Sequence, residues 1–148
     1  MISAELRSET HRCLELFNSK VLIGESLFAE SVFIELMIRL DYVLQWLSRQ
    51  GSRFAWGDDV DGGRDITDLV NELRNSVCHQ ASSLNIIDGT SIKFMFNRFF
   101  RRSPRAISLP DGQFLGCEYD DDVAFYYGSN RIYLYRHVER LLLELSRL

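Results

Sequence analysis

Several things that would narrow the function of this chain at once are scarce or missing. Cysteine is one of them: Cys13, Cys78 and Cys117 are an odd count, too few and too scattered for a disulfide framework or a thiolate metal cage, so reduced thiols are expected. A membrane-spanning run is another. The longest apolar-rich stretch, residues 32–47, is interrupted by Glu35, Arg39, Asp41 and Gln45, and the first six residues lack a basic start leading into an apolar segment. We therefore expect a soluble, cytoplasmic chain without a membrane partner. Excess positive charge is missing too, since the net charge is −4, which argues against coating nucleic acid by bulk electrostatics. Neither an internal repeat nor a low-complexity tract is present.

What remains is the composition of an ordinary globular domain. With 148 residues, 46% hydrophobic and 26% charged, the chain can bury about two-thirds of its unfolded surface around one core. We expect one domain, residues 1–148, mainly α: an up-and-down bundle of four or five helices with a small β insertion at residues 106–127 before the last helix. Leu6, Cys13, Leu14, Phe17 and Val21 recur at helical spacing, giving a first helix over residues 3 to about 19. The second helix has Ser26 as N-cap and Gly51 beyond its C-terminus, and spans about 36 Å. It carries two stripes. Val32, Phe33, Leu36, Leu40, Val43, Leu44 and Leu47 form one, while Ile34, Ile38, Tyr42 and Trp46 form a second. The second stripe fits either a central bundle helix or contact with another subunit.

Residues 51–64 hold four glycines with Asp58, Asp59 and Asp61, the vocabulary of a solvated loop. They are no EF-hand: counting from Asp59, Arg64 stands where glycine is required and Val70 where a bidentate Glu belongs. Asp65 then caps a third helix, with Ile66, Leu69, Val70, Leu73 and Val77 on one stripe, running to about His79. A shorter fourth helix is expected over residues 91 to about 100, closed by Pro104. Pieces at residues 106–109, 113–119 and 123–127 favour β structure and read as a hairpin or three strands. Ser129 or Asn130 would cap a final helix with Leu134, Val138, Leu141, Leu145 and Leu148 inward and Arg140 paired with Glu144 outside.

The chemistry-bearing stretch is Arg74-Asn75-Ser76-Val77-Cys78-His79. A histidine near its free pKa of about 6.5 can move a proton at neutral pH, and an arginine can hold a phosphate with two parallel hydrogen bonds. Such a pair suits phosphodiester cleavage without metal. On one continuous helix Arg74 and His79 lie about 140° apart, so they can cooperate only if the helix ends at His79 or a second copy faces the first. Asn75, four residues before His79, can orient its imidazole. Arg131 and His137 show similar spacing, but Ile132 follows that arginine. Cys78 reads as a packing residue, and the run from Asp120 to Asp122 as a solvated turn. Between Asp88 and Asp111 no acidic residue occurs. Lys93, Arg98, Arg101, Arg102 and Arg105 alternate there with phenylalanines, a patch suited to RNA phosphates and bases.

A long helix, a polar loop and then a helix ending in Arg74-Asn75-x3-His79 resembles the HEPN superfamily of helical bundles, whose nucleases carry an Arg followed by a polar residue and a His four to six positions on. The likeness covers residues 3 to about 100 and the last helix. It implies a metal-independent endoribonuclease, with His79 activating the ribose 2′-hydroxyl, Arg74 clamping the phosphate and Asn75 in support. It also implies a homodimer joining two such pairs, and toxin or phage-defence biology with an antitoxin as a further partner; no cofactor is expected, and the RNA contacts expected on the basic patch are Lys93, Arg98, Arg101 and Arg102. The position two after the histidine, where antitoxin-paired members carry Tyr, is Ala81. The other function class is a non-catalytic module that dimerises or binds a nucleotide or protein. A third places the working surface on an edge strand of the β insertion.

Overall fold

The computed structural model describes residues 2–79 and 96–148. Ser3 caps α1 (Ala4–Asn18), its hydroxyl accepting the Leu6 amide at 3.3 Å, and Glu5 sits favourably in the first turn. Leu6, Thr10, Cys13 and Leu16 form its inward stripe. After a 3-10 turn at Val21–Ile23, α2 (Ala29–Arg49) begins two residues later than Ser26 as N-cap suggests. The Ser26 hydroxyl instead accepts the Phe28 amide at 3.0 Å, a local turn that competes with capping. The C-terminus of α2 follows its glycine. Gly51 adopts φ +78°, which lets the Ser52 amide reach the Leu47 carbonyl at 2.9 Å and the Gly51 amide reach that of Ser48 at 3.1 Å. Phe33, Leu36, Met37, Leu40, Val43, Leu44 and Leu47 bury the inner face of α2. Truncating the wholly buried Leu40 to Ala would cost about 2–5 kcal/mol.

Asp65 caps α3 (Ile66–Cys78) by accepting the Asp68 amide at 2.8 Å, and Ile66, Leu69, Val70, Leu73 and Val77 pack on α2 and the strands. The expected third helix is therefore present with its cap, stripe and end.

The β part corrects the expected fold class, because the chain is a mixture of helices and antiparallel sheet rather than a helical bundle. Among the described residues five strands occur: β1 (Phe96–Phe100), β2 (Ser103–Ser108), β3 (Phe114–Cys117), β4 (Val123–Tyr127) and β5 (Asn130–Tyr133). β4 pairs with β1 on one side and β5 on the other, while β2 and β3 form a separate hairpin. The described part of the expected fourth helix, residues 96–100, is β1; residues 91–95 lie outside the described residues. Side chains explain the choice. Phe96 goes to one side, 5.2 Å between ring centroids from Phe33, and Phe99 to the other, 5.5 Å from Tyr126, an alternation only a strand provides. Pro104 does not close a helix but lies in β2, where the pairing with β3 slips, as suits a residue without an amide hydrogen. Likewise Asn130 opens β5 instead of capping the last helix.

The residues expected to be an insertion thus belong to a sheet that is part of the core. β4 is buried on both faces. Val123, Phe125 and Tyr127, with Ile132, join the helical core, whereas Ala124, Tyr126 and Tyr133 pack on Leu109, Leu115 and Cys117 of the hairpin. Helices, three-stranded sheet and hairpin form successive layers. Gly116 permits the closest approach: a Cβ there would lie 1.9 Å from the Ser103 carbonyl oxygen.

A π-helical segment (Leu134–Glu139) leads into α4 (Arg140–Ser146). Leu134, Val138, Leu141, Leu142 and Leu145 are buried, but Leu148 is exposed. The Asp122 side chain turns inward and accepts the Tyr135 and Arg136 amides at 2.9 and 3.0 Å, so Asp122 anchors this segment rather than lying in a solvated turn. Residues 51–64 are mostly exposed but tied down. Trp56 donates to Glu144 at 3.1 Å, Arg140 lies over the Trp56 ring and holds Asp58 at 2.8 Å, and Tyr119 donates to Asp59. Among the described residues no helix is long and apolar enough to cross a membrane.

Candidate active site

The position of the Arg74 to His79 stretch is set at the opposite end of its helix. Arg53 grips Asp65 through two hydrogen bonds of 2.8 Å and Asp68 through one of 2.7 Å, and the Thr67 hydroxyl donates to the Phe54 carbonyl at 2.7 Å. The cap and the first turn of α3 are thereby clamped to the preceding loop, and the apolar stripe fixes the helix rotation. Ser76 and Val77 are buried at the far end, Arg74 and Asn75 are half-buried, and Cys78 and His79 are exposed.

His79 is the residue at which α3 stops. Its amide still reaches the Asn75 carbonyl at 3.0 Å, but φ −121° and ψ 72° take the chain off the helix axis. One of the two arrangements that would let Arg74 and His79 cooperate is therefore present.

Arg74 sits in a polar ladder between α2 and α3. Its Nη1 donates to Asn75 Oδ1 at 3.1 Å, Asn75 Nδ2 donates to Asn71 Oδ1 at 3.4 Å, and Asn71 Nδ2 donates to Asp41 Oδ1 at 3.1 Å. Gln45 donates to the same Asp41 oxygen at 3.2 Å, and Arg74 Nε lies 3.9 Å from Asp41 Oδ2. The Asn75 amide is thus engaged by Arg74 and Asn71, and steadies the guanidinium. With its side chain 40% exposed, Arg74 keeps donors turned to solvent while a buried carboxylate holds its base. Asp41 and Asn71 were not among the sequence candidates. The signal was a short carboxylate, Asp41, between the apolar Leu40 and Tyr42 of α2, and an asparagine four residues before Asn75 on α3.

The second Arg and His pair is built differently. His137 is fully buried, and its Nδ1 accepts the Tyr133 amide at 3.0 Å. An accepting ring nitrogen carries no proton, so Nε2 carries it and donates to the Asp58 carbonyl at 3.0 Å. Burial pushes the His137 pKa below its usual value. Arg131 is held by both oxygens of Asp61, at 3.1 and 2.9 Å, and lies over the Tyr133 ring. Both groups fasten the loop of residues 51–64 to β5 and the π-helical segment.

The basic patch divides in a similar way. Lys93 lies outside the described residues. Arg98 Nη1 donates to the Leu22 and Gly24 carbonyls at 2.7 and 2.8 Å, joining β1 to the 3-10 turn that precedes α2. Arg101 and Arg102 form the exposed turn between β1 and β2, Arg101 at φ +63°. Arg105, on β2, lies over the Phe114 ring at 5.0 Å. Known protein families, curated proteins and solved structures offer no match to this chain.

Proposed function

We propose that this protein is a metal-independent endoribonuclease in which His79 takes the proton from a ribose 2′-hydroxyl and Arg74 holds the phosphate under attack. The observation that supports it is the end of α3: an exposed histidine at the C-cap, five residues after an arginine oriented by Asn75 and backed by Asp41. The 2′-oxygen attacks the neighbouring phosphorus, the 5′-oxygen leaves, and a 2′,3′-cyclic phosphate results. Arg74 stabilises charge on the non-bridging oxygens, and His79 relays the proton. Two copies facing each other would set each His79 opposite the other's Arg74, giving every phosphate a second cation. Arg101 and Arg102 extend the positive surface for RNA. We place the resemblance to HEPN nucleases, with its toxin or phage-defence biology, an antitoxin partner and a cytoplasmic setting, in the same proposal.

The second reading, a non-catalytic dimerisation module, draws on a different surface. Ile34, Ile38 and Tyr42 line a groove of about 630 Å³ between α1 and α2, with Ile38 and Tyr42 still 40% and 41% exposed. One experiment separates the two. Purified protein and its His79→Ala variant are incubated with mixed RNA in EDTA. Cleavage to cyclic-phosphate ends by the wild type alone supports the nuclease, and equal behaviour of both proteins removes it.

A further inference from the structure

Away from α3 there is a polar pocket of about 600 Å³ between the β2–β3 hairpin, the β4–β5 turn and Asp61. Its size is that of a small-molecule site. Its floor is rigid: the Tyr126 hydroxyl bonds both the amide and the carbonyl of Gly116, and Arg131 is fixed by Asp61. The wall is a flat platform, Phe114 at 44% exposure with the Arg105 guanidinium over its ring. Among the described residues Arg105 has no carboxylate partner, and the Gln113 side-chain amide and the Ser129 hydroxyl, also in the lining, have no protein hydrogen-bond partner. Asp61 and Glu118 complete the rim.

These groups match the parts of one nucleotide. A base stacks on an aromatic ring or a guanidinium plane, and its edge pairs with an amide or a hydroxyl. The free N–H edges of Arg105 suit a phosphate, and carboxylates accept hydrogen bonds from ribose hydroxyls. Arg64 fixes where the pocket lies relative to α3. It binds Glu72 on α3 and Asn130, beside Ser129, at once, so the β4–β5 turn is held against α3 two turns before His79. We propose that this pocket holds a nucleoside 5′-monophosphate unit, with its base on Phe114 and Arg105, its phosphate at Arg105 and its ribose toward Asp61 or Glu118. In an RNA strand the unit would be one flanking the cleaved bond, an assignment that rests on the ribonuclease reading.

The test titrates the full chain with each of the four 5′-mononucleotides by calorimetry. In parallel, a fluorescent RNA hexamer is titrated in the His79→Ala background, where the strand stays intact. Phe114→Ala and Arg105→Glu should each weaken binding by about tenfold, the worth of one base–aromatic stack, and Phe114→Tyr should restore it. Binding of free mononucleotides identifies a separate small ligand, and binding of the hexamer alone identifies a strand subsite; either supports the pocket. Unchanged affinity in well-folded Phe114→Ala and Arg105→Glu overturns it, as does the absence of binding to both probes. Cleavage is scored separately, so a protein that binds without cleaving loses only the nuclease reading, and one that cleaves with Phe114→Ala affinity unchanged loses only the pocket.

Discussion

Two Arg and His pairs of nearly equal spacing end up in opposite physical situations. At the end of α3, His79 is exposed and Arg74 is oriented but still open to solvent. Within the π-helical segment His137 is sealed from water with both ring nitrogens bonded to backbone, and Arg131 on β5 is closed on Asp61. A motif is therefore decided by what surrounds it. The first pair faces solvent, where the proposed chemistry would need it; the second holds two segments of chain together.

The sharpest way to break that contrast is to truncate each histidine. His79→Ala should lower RNA cleavage about 10²- to 10⁴-fold, the usual worth of a general base, with little change in the melting temperature. His137→Ala should do the reverse. It leaves the Tyr133 amide and the Asp58 carbonyl unpaired, costs about 2–3 kcal/mol and lowers the melting temperature by several degrees, with activity per folded molecule kept. Cleavage assays beside calorimetry decide both.

Next in size is Asn75→Ala, which removes the acceptor that orients Arg74. We expect kcat to fall about tenfold with KM little altered, a loss of positioning rather than of binding. An equal rise in KM would make Asn75 an RNA contact instead.

A smaller effect comes with pH. His137 is neutral when folded and its pKa is depressed by burial, so the unfolded chain binds the extra proton first. The stability it contributes is complete above the unfolded value of about 6.5 and is lost as pH falls below it, by up to about 1.4 kcal/mol per pH unit. Urea unfolding at pH 7.5 and 5.5 should show the slope, and His137→Gln should flatten it. Smallest of all, Arg101→Ala or Arg102→Ala should each reduce the salt dependence of RNA affinity by about 0.7 in log–log slope, as one phosphate contact to a single strand requires.

How much of this was legible in the sequence depends on the range of the interactions involved. Ser3, Gly51 and Asp65 act within five residues, and the helix ends they mark were readable apart from the start of α2, where Ser26 spends its hydroxyl on a turn. The Phe-rich stretch of residues 96–100 was not, since a short aromatic run interleaved with arginine fits either period, and its alternation is settled by Phe33 on one side and Tyr126 on the other. The site divides along the same line. The spacing of Arg74, Asn75 and His79 and the helix end are local, whereas the role of Asn75 and the presence of Asp41 depend on how α2 and α3 pack.

β4 has the most to say about how the molecule comes together. A strand covered by helices on one face and by the hairpin on the other has no half-finished state that hides its side chains from water. Ala124 and Tyr126 would be bare without the hairpin, and Phe125 and Tyr127 without the helices. The two halves of the chain therefore gain their stability jointly. Amide protons of β4 should open only when the whole protein opens, and the hairpin can be neither trimmed away nor transplanted as a separate part.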